Sequence, residues 1–244
     1  MGSDDKPRRV GYKFQVSHLI VPDVSFYQYD YFDNTRQKII KWIDFALMRS
    51  KSPAVIIRAG QNTWEDIAFD VSWKAAKEAG LQRGSYWFYD SRANPKRQAE
   101  KYAEVLGNDA GELELWCDFE DNYGGPYGGM YNWYDFMERI RALMPNKQLG
   151  IYTGYYYWLE NTKSIESYFA QYPLWIAAYG VARPKIPPTW NDWLMWQYTD
   201  NGKGSEYGVA SGNIDLNERK GLVKSPSVLQ AHFKNETVEY RSLQ

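Results

Sequence analysis

Strand-like and helix-like segments alternate along most of this chain, and this alternation limits the folds open to it. Amphipathic stretches predicted to be helices lie at 34–49, 66–79, 95–106 and 131–144. Short apolar runs rich in aromatic and β-branched residues are predicted to be buried strands, at 54–59, 84–89, 113–119, 149–153, 174–179 and 193–198. Alternation of this kind is typical of parallel β-α-β units.

The same pattern favours a closed barrel over an open sheet. The chain has 244 residues, which one barrel domain fills, and contains neither a G-x-G-x-x-G turn nor a P-loop. After about residue 174 the helical pattern fades and strands follow one another. We therefore expect an α/β fold, an irregular TIM-like (β/α) barrel over residues 20–221, with an N-terminal extension at 1–19 and a C-terminal tail at 222–244.

Composition argues against several kinds of chemistry. The formal net charge of -1 gives no basic surplus for nucleic acid or anionic lipid, and no apolar run approaches the roughly 20 residues of a membrane span. The single cysteine is Cys117, and the two histidines, His18 and His232, lie far from the acidic clusters. We expect no metal, no cofactor, and no nucleic-acid or membrane partner. The first residues lack the apolar core of a signal peptide.

Aromatic residues are frequent, at 17% of the chain, with 11 Trp and 21 Tyr. Aromatic faces stack on the C–H faces of sugar rings, and the Tyr hydroxyl and Trp N–H groups hydrogen-bond to sugar oxygens. Many of these side chains equally suit a hydrophobic core. Composition therefore points to carbohydrate only in combination with a site.

An acidic pair ends the predicted strand at 113–119. Strand alternation puts Trp116, Asp118 and Glu120 on one face, which we expect to point into the barrel. The opposite, apolar face suits packing against outer helices; it consists of Leu113, Leu115, Cys117 and Phe119. Active sites of such barrels lie at the C-terminal ends of the strands, where both carboxylates are expected.

The spacing of this pair has a chemical consequence. Two residues apart on one strand face, the Cβ atoms of Asp118 and Glu120 lie roughly 6–7 Å apart. Neighbouring carboxylates in a partly desolvated cleft cannot both ionise freely, so one pKa rises and one group becomes a proton donor. The distance lies between the ranges for retaining and inverting glycosidases. On spacing alone, the two residues are equally well explained as solvated strand-end carboxylates or salt-bridge partners.

Two further acids follow strand-like segments at opposite ends of the predicted barrel. Asp23 lies in 20–25 and Asp215 in 212–217. The first and last strands of a barrel are neighbours, so Asp23 and Asp215 are predicted to face each other across its mouth. Each alone is also a common cap or turn residue.

A Gly-rich loop at 121–130 directly follows the acidic strand and must lie at the rim of any cleft there. Tyr123 and Tyr127 within it suit a flexible flap that lays aromatic faces on sugars. The alternative is an ordinary surface loop.

Seven motifs in order along the chain carry a resemblance to a known family. They are PDVSFYQ at 22–28, D-x-x-F with A-x-x-A-G-L and G-x-Y-x-F within 66–88, LWCDFE at 115–120, GIYTG at 150–154, PLWIAAYG at 173–180, WLMWQYTDNG at 193–202 and NIDLN at 213–217. By these motifs the chain resembles the muramidases of glycoside hydrolase family 25, the Chalaropsis-type lysozymes.

The resemblance implies five β/α units followed by extra strands, and hydrolysis of the β-1,4 bond between N-acetylmuramic acid and N-acetylglucosamine in bacterial peptidoglycan. By position, Glu120 matches the general acid of the family, Asp118 the carboxylate beside it, and Asp23 and Asp215 two further cleft acids. The residues that match cleft-lining positions are Tyr86, Tyr152, Tyr179, Trp196 and Gln197. The family is regarded as retaining, which leaves Asp118 either as a covalent nucleophile or as a stabiliser while the 2-acetamido group of the substrate attacks; the strand spacing favours the second.

Two other functions remain open from the sequence. One is a non-catalytic sugar-binding or virion structural barrel, and the other is a different N-acetylhexosamine hydrolase, although the D-x-x-D-x-D-x-E run of chitinases is absent. For a muramidase we expect a monomer that meets bacterial peptidoglycan through non-classical secretion, holin release as an endolysin, or attachment to a virion.

Overall fold

The computed structural model describes residues 18–29, 32–33, 38–39, 43–121, 123–162 and 165–221. The strands are β1 (Leu19–Val24), β2 (Phe32–Asp33), β3 (Lys38–Ile39), β4 (Ala54–Gln61), β5 (Trp64–Glu65), β6 (Gln82–Phe88), β7 (Leu115–Asp118), β8 (Leu149–Gly154), β9 (Leu174–Ala177), β10 (Met195–Lys203) and β11 (Asn213–Arg219). The helices are α1 (Phe45–Lys51), α2 (Phe69–Glu78), α3 (Pro95–Leu106), α4 (Met130–Leu143), α5 (Tyr155–Asn161) and α6 (Glu166–Phe169).

Eight strands close into a barrel, in the order β1-β4-β6-β7-β8-β9-β10-β11 and back to β1. All neighbours are parallel except β11, which runs antiparallel to both β10 and β1. Strand β5 forms a short hairpin with β4, and β2 pairs with β3 outside the barrel. The prediction of an irregular TIM-like barrel whose helices fade towards its end is confirmed. The predicted extension and tail lie almost entirely outside the described residues.

Local signals set the helix bounds where the sequence predicted them well. Helix α3 begins after Asn94, whose side chain accepts hydrogen bonds from the backbone N–H groups of Lys96 and Arg97 at 3.0 and 3.3 Å. Pro95 occupies its first position, and Gly107, with φ of 52°, ends it. Helices α2 and α4 likewise occupy the predicted segments. Within the described ranges, no helix is long and apolar enough to cross a membrane.

The helix predicted at 34–49 is wrong at 38–39 and at 43–44 and correct at 45–49, and its other residues lie outside the described ranges. Lys38–Ile39 is a strand that pairs with Phe32–Asp33, and the helix begins only at Phe45. Asp44 sets that start, because its carboxylate caps the N–H of Leu47 at 2.9 Å while its own N–H donates to the carbonyl of Gly208. Backbone pairing to neighbouring segments therefore overrides the amphipathic pattern. Helices α5 and α6 were not predicted.

The barrel encloses one apolar cluster and is surrounded by another. The inner cluster consists of Val21, Ala54, Ile56, Trp116, Tyr152, Trp175 and Met195. Gly150 makes room for it, because a Cβ atom there would lie 2.4 Å from the ring of Trp116. Leu115, Cys117 and Phe119 belong to the outer cluster with the helices, which confirms the predicted faces of β7.

Leu113 is the exception to that register, since it packs against the inner cluster instead of the outer one. The N–H groups of both Glu112 and Leu113 donate to the carbonyl of Arg83, at 3.0 and 2.9 Å. This doubled pairing interrupts the alternation before β7 begins. The prediction that Leu113 faces the helices is therefore wrong.

A buried ion pair lies at the end of the barrel where β7 begins. Arg219 Nη2 and Glu114 Oε1 are 2.6 Å apart, and their side chains are 7% and 8% exposed. The pair joins the start of β7 to the end of β11. It neutralises charge at the end of the barrel opposite the carboxyl termini of the parallel strands.

Candidate active site

One small pocket, of about 50 Å³, opens at the carboxyl ends of the parallel strands and gathers the four predicted acids. Its lining residues are Asp23, Tyr86, Asp118, Glu120, Tyr152, Trp175, Gln197 and Asp215. Side chains from seven different strands, together with Glu120 just after β7, thus converge on one point.

Strand β7 presents two of these acids by alternation that continues past its last residue. Beyond Asp118 the chain stays extended, because the N–H of Phe119 donates to the carbonyl of Tyr152 at 2.9 Å and Thr153 Oγ1 donates to the carbonyl of Phe119 at 2.9 Å. Phe119 therefore points outward and Glu120 inward. Asp118 is 3% exposed, whereas Glu120 lies nearer the mouth and is partly exposed.

The other two acids lie opposite each other on β1 and β11. Asp23 and Asp215 are direct partners in the antiparallel register, as the neighbouring of first and last strands predicts. Asp23 Oδ2 accepts hydrogen bonds from Gln197 Nε2 at 3.0 Å and from Asn217 Nδ2 at 2.9 Å. These two amide donors stabilise its charged form.

Burial raises the pKa of all four carboxyl groups, and repulsion from neighbouring acids adds to the effect at Asp118, Glu120 and Asp215. Burial raises the pKa of Glu120 to about 7, with a smaller opposing effect from the Tyr152 hydroxyl, and that of Asp215 to about 8, to which Asp23 adds. Burial, with repulsion from Glu120 and Asp23, holds the pKa of Asp118 well above its usual range. Asp23, despite burial, rises only to about 6 because Asn217 and Gln197 donate to it. The cluster therefore carries protons near neutral pH.

A buried arginine supplies positive charge to this cluster. Arg58 of β4 lies on the same inward face as Ala54 and Ile56, is 5% exposed, and lowers the pKa of Asp118. Its Nε donates to Asp66 Oδ2 at 2.7 Å, while Nη2 has no hydrogen-bond partner among the described residues. Sequence reasoning missed Arg58. A lone cation at an inward position of the apolar run 54–59 was the available signal.

Trp175 forms the floor of the pocket. Its ring makes edge contacts with the rings of Tyr152, Trp116 and Tyr86, at centroid distances of 4.6, 5.4 and 6.1 Å. Its Nε1 donates to Asn217 Oδ1 at 2.7 Å, which turns the Asn217 amide nitrogen towards Asp23. Neither Trp175 nor Asn217 was singled out from the sequence.

Gln197 connects the acids to the rim. Its Oε1 accepts from the hydroxyls of Tyr152 at 2.8 Å and Tyr179 at 2.6 Å, while its Nε2 donates to Asp23. The two donors fix which end of the amide faces Asp23. Tyr86, Tyr152, Tyr179 and Gln197 thus all lie at or beside the pocket.

Trp196 does not line this pocket. It is 7% exposed within the outer cluster, and its Nε1 donates to the carbonyl of Ala178 at 2.8 Å. Alternation along β10 turns Met195 and Gln197 inward and Trp196 outward. The expectation that Trp196 lines the cleft is therefore corrected by the strand register.

The loop tyrosines also lie outside the pocket lining. The N–H of Tyr127 donates to the carbonyl of Ser91 at 2.9 Å, and the Tyr89 hydroxyl donates to the carbonyl of Tyr127 at 2.7 Å. The ring of Tyr123 lies under the guanidinium of Arg92, 3.9 Å from its centroid. These contacts attach the loop to the segment after β6, which argues against the flexible flap considered from the sequence.

The pocket is small and lined by carboxyl groups, so its geometry suits acid–base chemistry on one polar group of a bound ligand. Glu120 combines access to the mouth with a pKa near 7, and Asp118 lies two residues before it. Among the described residues, no group of three or more His, Cys, Asp or Glu side chains is arranged to hold a metal ion.

Comparison with known proteins places this arrangement in a family. The model of glycosyl hydrolases family 25 matches residues 23–207. Lysozyme M1 of Streptomyces globisporus is 32% identical over 177 residues, covering 68% of this chain and 59% of that protein. The autolytic lysozyme of Clostridium acetobutylicum is 29% identical over 183 residues, covering 72% of this chain and 52% of that protein.

The chain thus spans between about half and three-fifths of the length of these two relatives. Among solved structures, a bacterial lysozyme from Streptomyces coelicolor superimposes with a TM-score of 0.68 and 26% identity, covering 89% of this chain and 97% of that one. The family match includes β1 with Asp23, all of β7 and the residues up to Tyr207. This chain belongs to family 25 of the glycosyl hydrolases.

Proposed function

We propose that this protein is a muramidase that hydrolyses the β-1,4 bond between N-acetylmuramic acid and N-acetylglucosamine in bacterial peptidoglycan. The observation that carries the proposal is the convergence of four carboxyl groups on one pocket, with the pKa of Glu120 raised to about 7. A protein that only binds sugar gains little from a cluster of like charges. Two relatives that carry the name lysozyme support the same assignment.

Glu120 is the proposed general acid. Its carboxyl group is the more exposed member of the β7 pair, so it can reach the glycosidic oxygen, and burial keeps it protonated to about pH 7. Protonation lets the leaving sugar depart as an alcohol. The same group then removes a proton from the water that completes the hydrolysis.

Asp118 is proposed to stabilise the positive charge that develops on the sugar ring during the reaction. Arg58 already favours its ionised form, and a cationic sugar ring nearby favours it further. Its burial, and the roughly 6–7 Å that strand spacing puts between its Cβ atom and that of Glu120, favour attack by the 2-acetamido oxygen of the substrate, with Asp118 stabilising the cyclised intermediate. Tight inhibition by a thiazoline analogue of that intermediate is the expected result, and a trapped glycosyl ester on Asp118 would contradict it.

Asp23, Gln197 and Asn217 have a positioning role in this proposal. They form a hydrogen-bonded set on the wall opposite β7, with Tyr152 and Tyr179 donating to Gln197. A sugar N–H or hydroxyl group that enters the pocket meets acceptors of fixed orientation. Asp215 lies at the mouth beside them.

The test is digestion of purified peptidoglycan followed by identification of the new reducing ends. Borohydride reduction and mass analysis should yield muramitol. Glucosaminitol ends would identify a glucosaminidase instead, and soluble products without new reducing ends would identify another wall hydrolase. A Glu120→Gln preparation purified in parallel excludes contaminating activity.

The proposed partner of the protein is the peptidoglycan of the bacterial wall. The protein is proposed to act on it as a monomer. Secretion by a non-classical route, holin-dependent release and attachment to a virion remain the three delivery routes consistent with the sequence.

A further inference from the structure

A second, larger pocket of about 480 Å³ adjoins the acidic one. It lies between the start of α5 and the chain that follows β9. Tyr179 belongs to its wall and donates at 2.6 Å to Oε1 of Gln197, which lines the acidic pocket, so a hydrogen bond links the walls of the two pockets. A polymer bound through the acidic pocket has a continuous path over Tyr179 into the second one.

Two cations face this pocket and form no close ion pair among the described residues. No carboxylate in that part of the chain lies within 4.0 Å of Arg183 or Lys185, although Arg183 acts electrostatically at longer range on Asp192, which is itself paired with Lys220. Lys185 Nζ lies 3.5 Å from Tyr156 Oη and 5.8 Å from the ring centroid of Tyr155. The ammonium group is thus held over an aromatic surface with its charge available to a ligand.

Aromatic surface lines the same pocket. Tyr156 and Tyr179 are 64% and 46% exposed, and Val181 beside them is 48% exposed. Exposed aromatic rings next to a cation suit a sugar ring that carries a negatively charged substituent, because the C–H face stacks while the anion meets the cation.

The position of Arg183 and Lys185 in the second pocket, apart from the acids, matters for a substrate that carries a carboxylate. Any carboxyl group that is ionised in the acidic pocket repels a carboxylate on the bound strand, while Arg183 and Lys185 attract one. We propose that the pocket formed by Tyr155, Tyr156, Tyr179, Arg183 and Lys185 is a subsite for a carboxylate-bearing sugar of the glycan strand. This proposal rests on the proposed muramidase function and names the anionic group that the enzyme selects.

In peptidoglycan the carboxylate has two sources, the lactyl group of muramic acid and the attached peptide stem. Three soluble substrates distinguish them: glycan chains that retain their stems, chains stripped of stems so that the lactyl carboxylate is free, and stripped chains whose carboxylates are converted to amides by carbodiimide. The test variant is Arg183→Gln/Lys185→Gln. The matched control, Lys74→Gln/Arg97→Gln, removes two cations that are 80% and 77% exposed on α2 and α3.

The test variant should raise KM roughly tenfold on a carboxylate-bearing substrate, with kcat within about twofold, because the contact is made equally before and during reaction. On the amidated chains the wild-type protein should show the same raised KM, and the variant should add no further increase. A rise confined to stem-bearing chains identifies the stem as the source, and a rise on stripped chains identifies the lactyl group.

Three results would each overturn the subsite. The KM of the test variant could equal that of the wild type, the substitutions could raise KM as much on amidated chains as on carboxylate-bearing chains, or the control variant could show the same rise in KM. Failure of the muramidase proposal is recognised separately, since the wild-type protein would then release no muramic-acid reducing ends from any of the three substrates.

Discussion

The two ends of the barrel differ in whether their buried charged groups form ion pairs. At one end, Glu114 at the start of β7 meets Arg219 at 2.6 Å, and the charges cancel. At the other end, four residues further along the chain, Asp118 is 3% exposed and forms no ion pair among the described residues. Arg58 lies near it, but the Nε group of Arg58 is committed to Asp66.

Because of this difference, we expect the Glu114 end of β7 to contribute to stability and the Asp118 end to contribute to catalysis. In a buried ion pair the mutual attraction offsets part of the desolvation cost, and removal of one partner leaves an uncompensated buried charge that destabilises the fold. Unpaired acids are costly to bury, but their raised pKa values make them proton donors near neutral pH. Substitutions at one end are therefore expected to affect folding, and at the other end catalysis.

The largest effect is expected at Glu120. Glu120→Gln keeps the shape of the side chain but removes its transferable proton, so kcat should fall by roughly 10²–10⁴. Turbidity of a wall suspension measures the loss, and circular dichroism checks that the fold is intact. A folded variant that lyses walls at the wild-type rate would remove Glu120 from the mechanism.

Asp118→Asn should follow, with a loss of at least about 100-fold in kcat, because the charge next to the oxocarbenium-like centre is gone. Its unfolding free energy should not fall, since a desolvated carboxyl group is replaced by a neutral amide. A merely twofold loss in kcat would make Asp118 structural and would weaken the contrast with Glu114.

Glu114→Gln tests the paired end. The variant leaves Arg219 buried without its counter-charge, which should cost about 3–5 kcal/mol of unfolding free energy while kcat of the remaining folded protein stays near wild type. Urea denaturation gives the cost. The double variant Glu114→Gln/Arg219→Met should regain part of it, and an equally unstable double variant would show that charge pairing is not the cause.

Asp215→Asn should produce the smallest effect, and one that depends on pH. The pKa of Asp215 is raised from 3.8 to about 8 in the folded protein, so its contribution to stability is fully present below pH 4 and is lost as the pH rises towards 8. The Asn variant avoids this loss. Above pH 8 it should be more stable than wild type by about 1–2 kcal/mol, a modest figure because Asp215 is partly exposed.

Thermal unfolding at pH 5 and pH 9 measures this effect. Asp70→Asn, at an exposed site in α2, serves as the control and should not alter the pH dependence. If Asp215→Asn and wild type lose stability in parallel between the two pH values, the carboxyl group of Asp215 does not resist ionisation in the fold.

The residues of the site differ in how readily the sequence reveals them. Asp118 and Glu120 were predicted to point inward because strand alternation is a local property. Asp23 and Asp215 were predicted to meet because barrel closure makes the first and last strands neighbours, and the register pairs them directly. Their roles in catalysis remain predictions.

Other residues required information that one strand does not carry. Asn217 acts by contacts to Asp23 and Trp175, which lie on other strands. Trp196 was misplaced although the same alternation rule applied: adjacent residues of a strand face opposite sides, so Trp196 and Gln197 cannot both enter one pocket. The amphipathic pattern at 34–49 did not reveal that Lys38–Ile39 pairs with Phe32–Asp33, or that the backbone of Asp44 meets that of Gly208.

The antiparallel strand β11 has a consequence for how the protein comes to be folded. Asn217 and Asp23 are hydrogen-bonded at 2.9 Å, yet they are separated by 194 residues in the sequence. During synthesis β1 can pair with β4 early, but its second edge stays open until β11 has been made. We therefore expect β11 to dock last among the barrel strands, so that a nascent chain exposes a strand edge prone to aggregation and lacks a complete set of acids until β11 has been made.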